Sequence, residues 1–172
     1  MTKRPADPAN GHPPVARQVP MRDFSRSLPM SLLRAREAVM RQFRPKLREH
    51  GLTEQQWRIL RALAAIEAAE VTELARTAFL LGPSLSRILR DLEARNLIER
   101  KTAKTDQRRS RVSISKEGVK LMASVAPSSE AIYAEITQRF GARKLAELQE
   151  MLGELEQSLT GLGGGDGAGA DE

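Results

Sequence analysis

The chain of 172 residues contains no cysteine. This absence excludes disulfides, thiolate metal sites and thiol-based redox sensing, and it fits the reducing cytoplasm, where we expect the protein to reside. No apolar run approaches the roughly 18 residues that a membrane-spanning helix requires, so no membrane partner is expected. Only six residues are aromatic, one Trp, one Tyr and four Phe. The core must therefore consist mainly of aliphatic side chains.

The groups that serve catalysis and metal binding are also scarce. Of the two histidines, His12 lies in the proline-rich start and His50 falls at the end of a helical pattern, where a cation suits the helix dipole. No glycine-rich phosphate loop follows a strand, and no His/Asp/Glu cluster has the spacing of metal ligands. We therefore expect no enzyme activity, no catalytic residue, no metal and no cofactor.

Both ends of the sequence are unlike folded elements. The start, MTKRPADPANGHPPVARQVP, is rich in proline and has no apolar segment, so it is not a secretory signal. The end, TGLGGGDGAGADE, is rich in glycine and acidic residues. We expect residues 1–22 and 161–172 to be disordered tails.

The charge of the chain, +6 in total, is unevenly divided along the sequence. Residues 82–116 hold ten Lys or Arg against four Asp or Glu, whereas residues 117–172 hold four against ten. A basic centre followed by an acidic third suggests that a polyanion faces the centre. The alternative is charge that is merely scattered over a solvated surface.

The first half of the sequence carries helical patterns. Residues 27–50 predict a helix with one apolar stripe, in which Pro45 should bend or interrupt the last turn. That stripe is formed by Leu28, Leu32, Ala35, Val39, Phe43 and Leu47. Thr53 followed by Gln56 is the pattern of a capping box and predicts the start of a second helix. TELARTA predicts a short third helix with Leu74 facing inward.

The segment GPSLSRILRDLEARN predicts a fourth helix with two distinct sides. Gly82 is expected as its N-cap and Pro83 as its first helical residue, and Asn96 suits the left-handed conformation that ends a helix. The apolar side consists of Leu85, Ile88, Leu89 and Leu92. The open side consists of Ser84, Ser86, Arg87 and Arg90.

LIERKT and SRVSIS alternate in polarity and predict two strands that pair around a basic loop, residues 103–109. Helix, turn, helix and β-hairpin in this order predict a winged helix-turn-helix, a mainly α fold with a small β-hairpin wing.

The C-terminal third predicts two more helices. Ser115 is expected to cap a long helix over residues 116–140, with a kink at Pro127. The last helix carries leucines at spacings of 3, 4, 3 and 4, a heptad seam of Leu145, Leu148, Leu152, Leu155 and Leu159. The seam either packs within one chain or, as we favour, joins two chains together with the first helix to form a homodimer.

The second helix of a helix-turn-helix is where base edges are met, so we expect the open side of the fourth helix to bind DNA. Arg87 and Arg90 suit bidentate contacts to guanine, and Ser84 and Ser86 suit contacts to bases or phosphate. In the hairpin, Asp106 is expected to pair with Arg108 while Arg108 or Arg109 enters the flanking minor groove. The alternative is a helix face that only contacts solvent.

The motifs LTEQQWRILRAL, TELA, GPSLSRILRDLEARNLIER and TDQRRSRVSIS followed by KEG resemble the MarR family of winged-helix regulators over residues 24–160. Residues 27–60 look most like the branch that controls homoprotocatechuate degradation operons, and regulators of other aromatic pathways, including nicotinate breakdown, share this segment. The resemblance implies a domain over residues 23–160, with the winged helix-turn-helix at about 52–115 and dimerisation helices at about 24–50 and 116–160. The D-x-R element of the family's wing falls on Asp106, Gln107 and Arg108, and Asn96 replaces a common glycine.

This resemblance implies a sequence-specific dimer on palindromic double-stranded DNA. It implies a repressor of an aromatic-catabolic operon, and it implies that this repressor releases DNA when a small aromatic carboxylate binds. Applied to this sequence, it suggests an effector site lined by Ser27, Met30, Arg34 and Trp57, with Arg34 as the cation for the carboxylate. These four residues are alternatively ordinary core and surface. Two other functions stay open, a nonspecific architectural DNA-binding protein and a protein-interaction module.

Overall fold

The computed structural model describes the backbone of residues 23–103 and 106–160, and the side chains of these residues except 102–110. A short 3-10 helix, Phe24–Arg26, precedes the six α-helices of this part of the chain. The helices are α1 (Leu28–Glu49), α2 (Glu54–Ala64), α3 (Val71–Thr77), α4 (Gly82–Ala94), α5 (Lys116–Phe140) and α6 (Ala142–Thr160). The strands are β1 (Ala69–Glu70), β2 (Ile98–Ala103) and β3 (Asp106–Ile114).

The three strands form one antiparallel sheet in the order β1-β3-β2. Strand β2 pairs with β3 from Ile98 opposite Ile114, as the hairpin prediction requires. The expected loop over residues 103–109 is wrong in its extent, because β3 begins at Asp106. The register steps from Ser110, opposite Thr102, to Asp106, opposite Ala103, so residues 107–109 form an irregularity in the strand.

The core lies where the helix-turn-helix packs on the sheet, and it is built from aliphatic residues as the composition requires. Helices α2, α3 and α4 each contribute to it, and β3 adds Val112. Its fully buried members from the three helices are Ile59, Leu60, Leu63, Leu74, Leu85, Leu89 and Leu92. These burials orient α4 and leave its opposite side exposed.

Neither proline ends its helix, so the interruption considered at Pro45 does not occur, while a bend at Pro45 and a kink at Pro127 stay predictions. Helix α1 continues through Pro45 to Glu49, and α5 continues through Pro127 to Phe140. A proline removes one hydrogen bond from a helix. Buried neighbours compensate for that loss, since Phe43 and Leu47 flank the first proline.

Helix α4 begins one residue earlier than the sequence predicted. Leu81, not Gly82, is the N-cap, because the Leu85 N–H donates to the Leu81 carbonyl at 2.9 Å. Pro83 is therefore the second helical residue, where its missing N–H is still without cost. At the other end, Asn96 has a φ of 55°, the left-handed conformation that was expected.

The chain divides into two compact units, Met1–Arg41 and Gln42–Glu172. The first contains the beginning of α1, and the second contains the winged helix-turn-helix together with α5 and α6. Within the described residues, no helix is long and apolar enough to span a membrane.

Candidate nucleic-acid interface

Helix α4 separates into a buried apolar side and an exposed polar side. The exposed side carries all four helix residues that the sequence singled out for DNA contact. These are Ser84, Ser86, Arg87 and Arg90. Arg87 and Arg90 lie three residues apart and are therefore neighbours on the helix surface. The arrangement presents two guanidinium groups and two hydroxyls on one helix, the donor set that guanine edges and phosphate oxygens accept.

Gln56 joins the start of α2 to α4. Its Oε1 accepts from the Thr53 N–H at 2.8 Å, and the Thr53 hydroxyl accepts from the Gln56 N–H at 3.2 Å, which completes the predicted capping box. Its Nε2 donates to Asp91 Oδ2 at 2.5 Å. Because Gln56 is buried, both polar ends of its side chain require these partners.

Arg95 forms an ion pair with the same carboxylate oxygen of Asp91. The two side chains are 3.8 Å apart, and the Arg95 guanidinium also donates to the Gly51 carbonyl at 3.0 Å. We call Gln56, Asp91 and Arg95 the polar clamp. It fixes the C-terminal half of α4 against the segment that precedes α2. Beside it lies a cavity of about 580 Å³ whose polar lining includes Thr53, Gln55, Gln56, Ser84, Arg87 and Asp91.

The turn between α3 and α4 is fixed from α2 as well. The Arg58 guanidinium donates to the Ala78 carbonyl at 2.8 Å and to the Glu54 carboxylate at 2.9 Å. Phe79 follows with a φ of 50°, in the left-handed region. Backbone hydrogen bonds from the N–H groups of Phe79 and Leu80 to the end of α3 complete the turn. The geometry between the two helices of the helix-turn-helix is thus defined by hydrogen bonds.

The base of the wing is also held in place, by a buried side chain and by a hydrogen bond. Val112 is fully buried, and the Arg111 guanidinium donates to the Ala68 carbonyl at 3.3 Å. Asp106, Arg108 and Arg109 belong to β3 by their backbone, but their side chains lie outside the described residues. The predicted Asp106–Arg108 pair and the predicted minor-groove contacts therefore stay predictions.

The residues predicted to line an effector site fall in both compact units. In the first unit, Ser27 is half-buried and its hydroxyl donates to the Phe24 carbonyl at 3.0 Å, while Met30 is half-buried. Arg34 donates to the Ser25 carbonyl. Hydrogen bonds from Ser25 hold the pKa of the nearby Asp23 carboxyl below its usual value.

Trp57 belongs to the second unit and is 9% exposed. The guanidinium of Arg61, one helical turn away, lies 6.0 Å from the centre of its ring. The sequence contained this cation at position i+4 from Trp57, but Arg34 was singled out instead. Gln56 was recognised only as part of a capping box, because its contact with Asp91 spans 35 residues of sequence. In the described part of the chain, no group of three His, Cys, Asp or Glu residues has a geometry that holds a metal.

A comparison with family models matches residues 50–109 to the MarR family. The "homoprotocatechuate degradative operon repressor" of Escherichia coli is 41% identical over 129 residues, which cover 75% of this chain and 87% of that protein. The matched family segment contains the capping box, the helix-turn-helix and most of the wing.

Two solved structures are similar in sequence and in fold. NadR in complex with 4-hydroxyphenylacetate is 37% identical with a TM-score of 0.68, over 80% of this chain and 97% of that one. The transcriptional repressor CouR bound to a 23-mer DNA duplex is 26% identical with a TM-score of 0.71, over 77% of this chain and 94% of that one.

Proposed function

This chain belongs to the MarR family, and we propose that it is a sequence-specific DNA-binding repressor of an operon for the breakdown of an aromatic compound. The family resemblance and the fold class predicted from the sequence are confirmed. Relatives that repress a degradative operon and that bind a DNA duplex support the function. The family and its relatives are transcriptional regulators, and we propose no catalytic role and a cytoplasmic location.

The observation that carries this proposal is the exposed row of Ser84, Ser86, Arg87 and Arg90 on a helix fixed by buried leucines and the polar clamp. A helix that projects donors while its other side is buried is suited to the major groove. Arg87 and Arg90 are assigned bidentate contacts to guanine. Arg108 or Arg109 of the wing is assigned to the neighbouring minor groove.

We further propose a homodimer. Helix α6, all of which is described, has no buried residue within its own chain. Leu152 and Leu159 of its heptad seam are 40% and 51% exposed. A seam of this length is stable in water only when a second apolar surface covers it. Two chains related by a two-fold axis then present their α4 helices to a palindrome with half-sites roughly 34 Å apart.

The effector that we propose is a small aromatic carboxylate. NadR, one of the similar proteins, has been solved with 4-hydroxyphenylacetate. In this chain the Arg61 guanidinium lies 6.0 Å from the centre of the Trp57 ring, which places a cation beside an aromatic side chain. We assign Arg61 to the carboxylate beside Trp57. The roles of Ser27, Met30 and Arg34 stay predictions.

A binding experiment tests the proposed function. A duplex that the full-length protein selects from a random library is compared with a random duplex at one fixed salt concentration. We expect at least about 10³-fold tighter binding to the selected duplex. A ratio near one contradicts the proposal and identifies a nonspecific architectural protein instead.

Substitutions in the same assay test the assigned contacts. Arg87→Ala or Arg90→Ala is expected to cost roughly 1–3 kcal/mol of binding free energy and to relax preference at particular base pairs. Arg108→Ala is expected to weaken binding most on A·T-rich flanks. Arg139→Ala, which removes the same charge from the exposed side of α5, is the matched control and should change little. Equal losses on selected and random DNA would contradict the base contacts.

A further inference from the structure

The turn before α4 exposes two large apolar side chains. Phe79 is 78% exposed and Leu81 is 79% exposed. The whole chain has four phenylalanines, and one of them stands at this turn. Leu80 between them is half-buried and lines the cavity beside the polar clamp. The turn thus directs one apolar residue inward and two into solvent, next to the residues of α4 proposed to bind DNA.

The fold alone does not favour Phe79. Its φ of 50° is a conformation in which glycine or asparagine is comfortable and a bulky aromatic residue is rare. An exposed aromatic ring contributes little to the core. Local stability would therefore be served better by Asn at this position.

Leu81 and Gly82 are equally unfavourable for the helix that they begin. Leu81 is the N-cap of α4 and supplies no side-chain hydrogen bond to its N–H groups, whereas Ser, Thr, Asp or Asn would. A Cβ added at Gly82 would meet no described atom within 4 Å. The packing of this part of the chain therefore does not require a glycine there. Departures from local preference of this kind concentrate at functional sites.

We propose that Phe79 and Leu81 contact thymine methyl groups in the major groove, as a second base-reading element beside the polar side of α4. This inference rests on the proposed DNA-binding function. Apolar side chains cannot read the donor and acceptor pattern of base edges, and the C5-methyl group of thymine is the apolar feature that the major groove offers. The absence of a side chain at Gly82 leaves the DNA room to approach the first turn of α4 closely.

The turn is rigid enough for this task. Arg58 holds the Ala78 carbonyl at 2.8 Å, and the N–H groups of Phe79 and Leu80 donate to Arg76 and Ala75 at 3.1 and 3.0 Å. The backbone that carries the two apolar side chains is therefore fixed, and DNA binding does not have to order the turn.

The experiment combines protein variants with modified DNA. The probe is the duplex that the full-length protein selects from a random library, in which single thymines are replaced by deoxyuridine, which lacks the methyl group. Wild-type protein is expected to lose about fourfold in affinity at each methyl group it contacts, the effect of one methyl group transferred from water. Leu81→Ser and Phe79→Asn are each expected to bind thymine and deoxyuridine equally at the positions that the lost side chain reads.

Both variants are expected to melt no lower than wild type, because serine caps α4 and asparagine accepts the left-handed conformation. Val119→Ser, which changes an apolar residue 53% exposed on α5, is the control and should keep the full methyl dependence. The inference is overturned if no deoxyuridine position weakens wild-type binding, or if both variants keep the wild-type methyl dependence. Equal affinity of wild type for selected and random duplexes would instead refute the proposed function itself.

Discussion

Gln56 performs two structural tasks with one side chain, since it completes the capping box of α2 and holds Asp91 of α4. Gln56→Ala removes both. We expect the free energy of unfolding to fall by about 1–3 kcal/mol, the sum of the two hydrogen bonds that the Gln56 side chain makes, while the Thr53 hydroxyl still accepts from the backbone N–H of residue 56. Urea denaturation measures the change, and DNA binding should weaken because α4 loses one end of the polar clamp.

The neighbouring Gln55 provides the control for this prediction. It is exposed and lies outside the capping box, so Gln55→Ala should leave the urea midpoint within experimental error of wild type. Equal stability of the Gln56 and Gln55 variants would show that the polar clamp contributes nothing to the fold.

Gly118 is a residue where packing leaves no room for a side chain. A Cβ there would lie 2.2 Å from the Leu97 carbonyl oxygen and 2.8 Å from the Ile114 side chain. Because the first of these atoms belongs to the backbone, Gly118→Ala forces α5 away from the hairpin. We expect the free energy of unfolding, measured by urea denaturation, to fall by roughly 1–3 kcal/mol. Gly153→Ala in α6, where a Cβ meets no described atom within 4 Å, should not destabilise the protomer.

At the scale of elements, α6 carries the prediction of oligomeric state. Leu152→Lys combined with Leu155→Lys places two charges in the heptad seam, and desolvating them disfavours association. Sedimentation should then detect monomers, and DNA affinity should collapse because a single half-site binds weakly. The matched control is Glu150→Lys with Glu154→Lys, two lysines on the same helix outside the seam. A seam variant that sediments as a dimer would refute the assignment of α6.

Elements governed by local chemistry were predictable from the sequence. The capping box at Thr53, the cap at Ser115 and the left-handed Asn96 all agree with the structure, since each depends on residues within one turn. Strand β1 was not predicted. This strand has only two residues, and its pairing with β3 joins positions more than forty residues apart. No local sequence pattern therefore indicates it.

The candidate interface also contains features that depend on local sequence and features that depend on residues distant in sequence. The exposed position of Arg87 and Arg90 was predictable from helical periodicity, because burying one side of α4 exposes the other. The hydrogen bonds that hold α4 in place were not, because Gln56 and Asp91 meet only in the folded chain. The sequence likewise leaves open whether α1 continues through Pro45, because the burial of the flanking Phe43 and Leu47 arises only in the folded chain.

At the scale of the whole molecule, the proposed effector and DNA must oppose one another reciprocally. An effector that weakens DNA binding by some factor must itself be bound more weakly, by the same factor, when DNA is present. We expect that factor to be roughly 5–150. Calorimetry with 4-hydroxyphenylacetate and related acids, with and without the selected duplex, measures both sides.

The same calorimetric measurement on two arginine variants identifies the side chain that binds the carboxylate of the effector. Arg61→Ala is expected to weaken effector binding more than Arg34→Ala, since the Arg61 guanidinium lies beside the Trp57 ring whereas Arg34 donates to the Ser25 carbonyl. If Arg34→Ala weakens effector binding more than Arg61→Ala, the carboxylate is bound by Arg34 instead. Independent binding of acid and DNA would exclude the regulatory mechanism altogether.

The pairing of Ala69 with Val112 and of Glu70 with Arg111 has a consequence for the entropy of binding. It joins the segment before α3 to the wing strand, so the helix-turn-helix and the base of the wing lose their relative freedom when the chain folds. A wing on a free hinge would lose about 1–2 kcal/mol of conformational entropy per ordered residue at every encounter with DNA. In this protein the conformational entropy of the wing base is already lost on folding, before DNA is bound. We therefore expect contacts of the wing with DNA to act mainly by slowing dissociation.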